Sequence, residues 1–239
     1  MTEFPLPSKD DWRALKARAD ALPDATRTAL AQHWANAARM EHASVAAFSR
    51  FSLQLLAVGA PAALLEQTHR AALDEIKHAE LCFSVASLYA QQSMGPGPLP
   101  VTEQALCAWD LVSVAVGTVE EGCVGETIAA LEAQAAAELA SDEAVRCVLS
   151  RIHDDESHHS ELAWRFVRWA ALVGGAPLKQ SLALAFERTI TLHGNSPSLE
   201  SIGEARLETH GVLSASTRRT LRARIMNEVI RPPLAQLLA

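Results

Sequence analysis

Two segments of the sequence repeat the same spacing of carboxylate and imidazole side chains. Residues 74–81 and 155–162 both read D-E-x-x-H-x-E-L. A glutamate and a histidine three positions apart share one face of a helix, so both side chains can reach a single metal ion. The repeat therefore predicts two metal-binding pairs, Glu75 with His78 and Glu156 with His159.

Two more glutamates stand at matching distances before the repeat. Glu41 precedes Glu75 by 34 residues, and Glu121 precedes Glu156 by 35. Residues of an antiparallel helix pair lie level when the turn falls midway between them. Both midpoints lie beside turn signals, at residues 59–61 and near residue 140. We therefore expect Glu41 and Glu121 to join the Glu-x-x-His pairs.

The choice of Glu121 has two neighbouring alternatives. In an α-helix, Glu120 would point about 100° away from Glu121, and Glu126 about 140° away. The midpoint between Glu126 and Glu156 is residue 141. We favour Glu121 as the ligand and expect Glu126 to lie close to the site, because an unpaired carboxylate in a core is costly.

The chemistry of this ligand set favours iron or manganese. Four glutamates grouped without a cation would repel one another strongly. Two divalent ions would offset that repulsion, and oxygen-rich sites with two imidazoles suit iron or manganese better than zinc or copper. The ligand chemistry alone therefore leaves iron and manganese open.

The elements that must position these side chains are predicted to be helices. Alanine and leucine dominate the composition, which favours helix, and no strand pattern of any length is present. Turn signals predict a short first helix that ends near Pro23 and four long helices after it. The long helices are expected at about 25–58, 62–91, 102–139 and from Ser141 to a break before Gly174.

These helices predict an all-α chain in three parts. Residues 1–23 form an N-terminal helical extension, residues 24–173 a four-helix bundle that carries the metal ligands, and residues 174–239 a C-terminal helical extension that packs on the bundle. We also consider a role of the C-terminal helices in a homodimer.

The motif resembles the ferritin-like superfamily of di-iron carboxylate proteins over residues 24–171. Its members take one glutamate from each of two bundle helices and a Glu-x-x-His from each of the other two. The resemblance implies that Asp74 and Asp155 accept the free N–H of the metal-bound histidines, often across to the neighbouring helix. It implies these metal ligands: Glu41, Glu75, His78, Glu121, Glu156 and His159.

The resemblance also implies how the second and third bundle helices are connected. In ferritin-like folds they run parallel and are joined by a crossover. The segment 93–101 spans at most about 30 Å when extended, which is short for a full crossover. We therefore expect a proline-rich extended crossing and a third helix that starts near Trp109 rather than after Thr102.

The resemblance implies two iron ions, with a manganese–iron pair as the alternative. The function that it implies is O₂ activation at this non-haem di-iron centre. The substrate would be a small organic molecule or a peptide that is hydroxylated, N-oxygenated or desaturated, with O₂ as co-substrate and an electron donor that the sequence does not identify. The alternative is an iron-handling protein, a ferroxidase or a peroxide scavenger. A third reading is a helical interaction module without metal.

A stripe of small residues predicts a pocket beside the metals. Gly117, Glu121 and Gly125 recur four positions apart on one face of the third helix, and glycine there costs roughly 1 kcal/mol relative to alanine. Space for O₂ and substrate would explain the cost, and so would close helix packing. Cys123 and Glu126 lie near this stripe.

Composition excludes several other classes. The 239 residues carry a net charge of −7, which argues against nucleic-acid binding, and an arginine group near Arg222 is interpreted as a solvated face. No apolar run approaches the roughly 18 residues of a membrane span. The N-terminus does not resemble a secretory signal, and four cysteines without a C-x-x-C pair suit a reducing compartment. We predict a cytoplasmic protein without a membrane partner.

Overall fold

Helices form all the regular structure in the computed structural model, which describes residues 6–101, 109–194 and 207–238. The all-α prediction is confirmed over these residues. The helices are α1 (Lys9–Asp20), α2 (Asp24–Ala57), α3 (Ala62–Ala90), α4 (Leu111–Thr118), α5 (Thr127–Leu139), α6 (Glu143–Gly194), α7 (Ala215–Arg224) and α8 (Arg231–Leu238). Two π-helical segments, π1 (Val119–Glu126) and π2 (Ile225–Ile230), join α4 to α5 and α7 to α8.

The directions of the long helices follow from their contacts. The pairs α2–α3 and α5–α6 are each joined by a short turn and pack along their lengths. Between α3 and α6, Gln67 contacts Arg165 and His78 contacts Asp155, so rising numbers on one helix meet falling numbers on the other. Both α3 and α5 are therefore antiparallel to α6 and parallel to each other.

Because of this parallel arrangement, α3 ends and α4 begins at opposite ends of these helices. The third long helix begins at Leu111, where the Asp110 side chain accepts a hydrogen bond from the backbone N–H of Ser113. The start agrees with the later of the two expected positions. Thr102, the earlier candidate, lies outside the described residues.

A kink divides the longest helix, α6. Gly175 has a φ of +62° and a ψ of −154°, a conformation that strains a residue with a side chain, and Pro177 follows it. The kink coincides with the break expected before Gly174, although helical backbone resumes after it.

Two apolar cores lie on either side of the repeated motif. The Trp34 core includes Leu15 of α1, Trp34, Tyr89, Val145 and Leu213. The Phe166 core includes Phe48, Val119, Phe166 and Phe186, together with residues of π2 and α8 that include Ile230 and Leu234. Along α2, α3 and α6, the motif residues fall between the positions that enter one core and those that enter the other.

Leu15 of α1 and several residues of π2 and α8 therefore share cores with the motif-bearing helices. Burial of apolar side chains at roughly 25 cal/mol per Å² stabilises each core and fixes the helices that cross between them. In the ranges that the structure describes, no helix combines the length and apolarity that a membrane crossing needs.

Candidate metal centre

Six acidic and imidazole side chains from four helical segments meet between the two cores. Their ligand atoms form two overlapping groups, and within each group the atoms lie within 4.8 Å of one another. The Glu41 group consists of Glu41, Glu75, His78 and Glu156, and the Glu126 group of Glu75, Glu126, Glu156 and His159. Glu75 and Glu156 belong to both groups, which is where carboxylates shared by two cations would stand. The cluster could hold a metal ion.

The two histidines are oriented by aspartates on the opposite helix. Nε2 of His78 lies 3.1 Å from Oδ2 of Asp155, and Nε2 of His159 lies 3.4 Å from Oδ2 of Asp74. An aspartate accepts the Nε2–H, which leaves the lone pair on Nδ1. Both contacts cross between α3 and α6, so each aspartate lies against the histidine of the other motif.

The Nδ1 atoms point toward carboxylates. Nδ1 of His78 lies 3.5 Å from Glu41 and 3.5 Å from Glu156, and Nδ1 of His159 lies 3.2 Å from Glu75. An imidazole lone pair and ionised carboxylates repel each other unless a proton or a metal ion lies between them. Each histidine is thus held with a ligating nitrogen toward the centre of the cluster.

Three buried atoms of the cluster lack a hydrogen-bond partner. They are both carboxylate oxygens of Glu75 and Nδ1 of His78. The Glu75 side chain is 1% exposed and that of His78 is fully buried. Leaving such groups unpaired costs about 1–3 kcal/mol each, and more when they are charged. Divalent cations would satisfy these three atoms, so the residues present fit a metal.

The pKa values show how the cluster responds to its own charge. Burial raises the pKa of Glu41 to about 8, although the His78 hydrogen bond opposes the shift. Burial and the neighbouring Glu156 raise the pKa of Glu126 well above its ordinary range. Without cations, protons on these carboxyl groups relieve the repulsion.

Protons collect on the histidines as well. Burial alone would lower the pKa of His78 and His159, but hydrogen bonds to carboxylates outweigh it and raise both pKa values. For Glu156, burial pushes the pKa upward and hydrogen bonds from both histidines lower it overall. Positive charge is thus drawn to the positions where metal ions would bind.

Arg151 links the outer partners of the two histidines. Its Nε donates to Oδ2 of Asp155 at 2.5 Å, and its guanidinium lies 3.9 Å from Oδ1 of Asp74. The Asp155 side chain is 12% exposed and that of Asp74 is 31% exposed. Asp155 is therefore the more firmly held of the two aspartates.

Glu126, not Glu121, occupies the fourth carboxylate position. The Glu121 side chain is 60% exposed and forms an ion pair with Arg50 away from the other ligands. The expectation for Glu121 assumed regular α-helix, but both glutamates lie in π1, where the wider turn changes which residues share a face. One signal favoured Glu126: residue 141, its midpoint with Glu156, is the centre of the observed turn between α5 and α6.

A cavity of about 220 Å³ lies beside the Glu126 group. Glu126 and His159 line it, and the Phe48 ring lies against His159 with 5.0 Å between ring centroids. The rest of the lining is largely apolar and includes Phe51, Val114, Leu162 and Ala163, with Arg50 and Glu121 among its few charged residues.

Only part of the predicted stripe of small residues faces the cavity. Gly117 lines it, and a Cβ at this position would meet no atom within 4 Å. Gly122, which was not part of the predicted stripe, also lines the cavity, but a Cβ on it would lie 2.5 Å from Cβ of Ala163, so Gly122 allows close packing against α6. Gly125 and Cys123 do not line the cavity, since a Cβ on Gly125 would face Glu120 of its own turn and Cys123 is fully buried in the Phe166 core.

Two features of the site were absent from the sequence-based expectations, namely Arg50 and the phenylalanine wall. Phe48 follows Glu41 by seven residues, which is two helical turns, and that spacing places both on one face of α2. No family model, curated protein or solved structure matches this chain. The function is therefore inferred from the chemistry of the site.

Proposed function

We propose that the chain is a ferritin-like di-iron protein that uses O₂ to oxidise a small organic substrate. In this proposal α2, α3, the α4–α5 unit and α6 form the four-helix bundle. Glu41, His78, Glu126 and His159 would each serve one of the two ligand groups, and Glu75 and Glu156 would serve both. A manganese–iron pair remains the alternative metal content.

The observation that carries the proposal is the buried Glu75 carboxylate, which faces only the imidazole nitrogens of His78 and His159 and has no other hydrogen-bond donor. Burial of four carboxylates would cost many kcal/mol unless cations paired with them. Two divalent cations would neutralise four negative charges. The mixture of carboxylate oxygens and two imidazoles favours iron or manganese.

Bound iron would supply the electrons and the binding position for O₂, which is chemistry that no side chain of the chain offers. The chain's own residues hold and shield that chemistry. Asp74 and Asp155 keep the proton on Nε2 of His159 and His78, so that Nδ1 stays free to bind metal.

The cavity supports an organic substrate over iron storage. Its lining is more apolar than polar, and Phe48, Phe51 and Leu162 line it together with Glu126 and His159. A molecule held in this cavity would place one of its bonds next to Glu126 and His159. Iron ions in transit would instead require polar walls.

Metal analysis after anaerobic loading with ferrous iron tests the proposal. We expect about two irons per chain, and close to none in Glu75→Ala because Glu75 serves both groups. Glu80→Ala is the matched control, since Glu80 lies on the same helix, is 62% exposed and pairs with Lys77. Equal iron in Glu75→Ala and the unaltered protein would contradict the ligand assignment.

Mixing the loaded protein with O₂ separates the two functions. Rapid oxidation of about two irons followed by no further O₂ uptake, with a transient visible absorption band, supports an oxidase or oxygenase. Continued O₂ consumption upon repeated addition of ferrous iron would contradict this function and indicate a ferroxidase.

A further inference from the structure

The cavity beside the Glu126 group has a charged mouth and a buried floor. At the mouth, the side chains of Arg50 and Glu121 are 27% and 60% exposed and form an ion pair. At the floor, the His159 side chain is only 2% exposed. A molecule in the cavity would therefore contact charge at its solvent end.

The walls between mouth and floor are mainly apolar. Phe48 and Phe51 of α2 face the cavity on one side, and Leu162 of α6 on another. An apolar cavity of about 150 Å³ holds one benzene molecule, so the 220 Å³ here fits a single ring with a short chain. This volume is below the roughly 300–1,000 Å³ typical of pockets for drug-sized ligands.

Arg50 has donors left for a ligand. Its described hydrogen bond runs from one terminal nitrogen to Oε2 of Glu121. A guanidinium carries five N–H donors in a planar fork that matches a carboxylate. Because Arg50 is mostly buried and lines the cavity, an anion bound to it would be less screened than at an exposed arginine.

We infer that the substrate is a small carboxylic acid with an apolar body, and that Arg50 binds its carboxylate. The apolar body lies between the phenylalanines and Leu162, with its far end toward Glu126 and His159. Glu121 stands at the same mouth and repels a doubly charged phosphate more than a single carboxylate. The word substrate rests on the proposed function; the binding preference rests on the cavity.

Calorimetric titration of the anaerobic iron(II) protein with phenylacetate and phenylacetamide tests the inference. The two probes have nearly the same size and differ in charge. We expect phenylacetate to bind at least about tenfold more tightly, and Arg50→Gln to remove that preference. Arg70→Gln is the matched control, because Arg70 pairs with Glu66 on its own helix and does not line the cavity.

A second variant keeps the result interpretable if Arg50→Gln unfolds. Glu121→Gln removes the competing carboxylate, so phenylacetate should bind severalfold more tightly than to the unaltered protein. Equal affinity for the two probes, or a phenylacetate affinity unchanged in Arg50→Gln, would overturn the inference. So would a phenylacetate affinity that depends on iron and not on Arg50, since the acid would then be binding the metal.

The two proposals fail separately. If the protein binds no iron but prefers phenylacetate through Arg50, the proposed oxidase function is wrong and the cavity still binds an acid. If it binds about two irons but shows no preference for phenylacetate, the proposed carboxylic acid substrate is wrong and the di-iron centre remains.

Discussion

The Glu41 group and the Glu126 group carry the same Glu-x-x-His repeat but lie in different surroundings. Glu126 and His159 line a cavity beside Phe48, whereas Glu41 and His78 do not. The glutamate that belongs to the Glu126 group alone comes from a π-helical turn, whereas Glu41 comes from regular α-helix. Repetition of the ligands therefore does not make two equivalent metal positions.

The different surroundings of the two groups suggest different roles for them. In the proposed function, a substrate approaches on the side of the Glu126 group, so the position of Glu126 would govern access as well as metal binding. The histidine of the Glu41 group is held by Asp155, which Arg151 clamps at 2.5 Å. The Glu41 group is thus the better supported side, and the Glu126 group the more open side.

Replacement of Glu126 should give the largest separation of the two groups. In Glu126→Gln, we expect iron to fall from about two to about one per chain, because the Glu41 group keeps all its ligands. Metal analysis of the loaded protein measures this loss.

Glu121→Gln provides the matched comparison, since the same change is made five residues earlier in the same π1 segment. It should retain about two irons, because Glu121 pairs with Arg50 outside both groups. The opposite result, with iron lost in Glu121→Gln and kept in Glu126→Gln, would identify Glu121 rather than Glu126 as the fourth carboxylate ligand.

The sequence predicts much of this site because most of it obeys regular helix geometry. Glu75 and His78 share one face of an α-helix, as do Glu156 and His159. Asp74 and Asp155 each stand one residue before the glutamate of their motif. The turn positions placed Glu41 level with Glu75. What the sequence did not predict depends on the π1 turn, since an α-helical angle between Glu121 and Glu126 does not apply there.

The cavity and its charged mouth were also beyond sequence reasoning. They require Arg50 of α2 to meet Glu121 of π1, two residues that are 71 positions apart. No periodic pattern relates them. The glycine stripe pointed to this region, but only the packing of α6 against π1 decides that Gly117 faces space and Gly122 faces Ala163.

The two aspartates offer a smaller test of the same asymmetry. Loss of an outer hydrogen-bond partner of a metal-bound histidine typically costs about 10–100-fold in metal affinity. We expect the loss of metal affinity to lie near the upper end of that range in Asp155→Ala and near the lower end in Asp74→Ala. Asp155 lies closer to its histidine, is less exposed and is held by Arg151.

Competition for ferrous iron against a chelator of known affinity measures both variants. Asp154→Ala serves as the control, because it removes an aspartate beside Asp155 that belongs to neither ligand group. A larger loss in Asp74→Ala than in Asp155→Ala would show that the Glu126 group, not the Glu41 group, is the more strongly supported side.

The smallest expected effect concerns the two glycines on the open side. Gly122→Ala should lower the free energy of unfolding by about 1–3 kcal/mol, because its Cβ would lie 2.5 Å from Cβ of Ala163. Gly117→Ala should instead raise it by roughly 0.5–1 kcal/mol, since alanine favours helix and the new methyl group enters open space. Urea unfolding of the metal-free variants measures both changes without any contribution from bound iron. Opposite signs would establish that Gly122 packs against α6 while Gly117, five residues earlier, faces open space. Equal destabilisation by the two substitutions would mean that the cavity closes in solution. The Glu126 group would then be no more open than the Glu41 group.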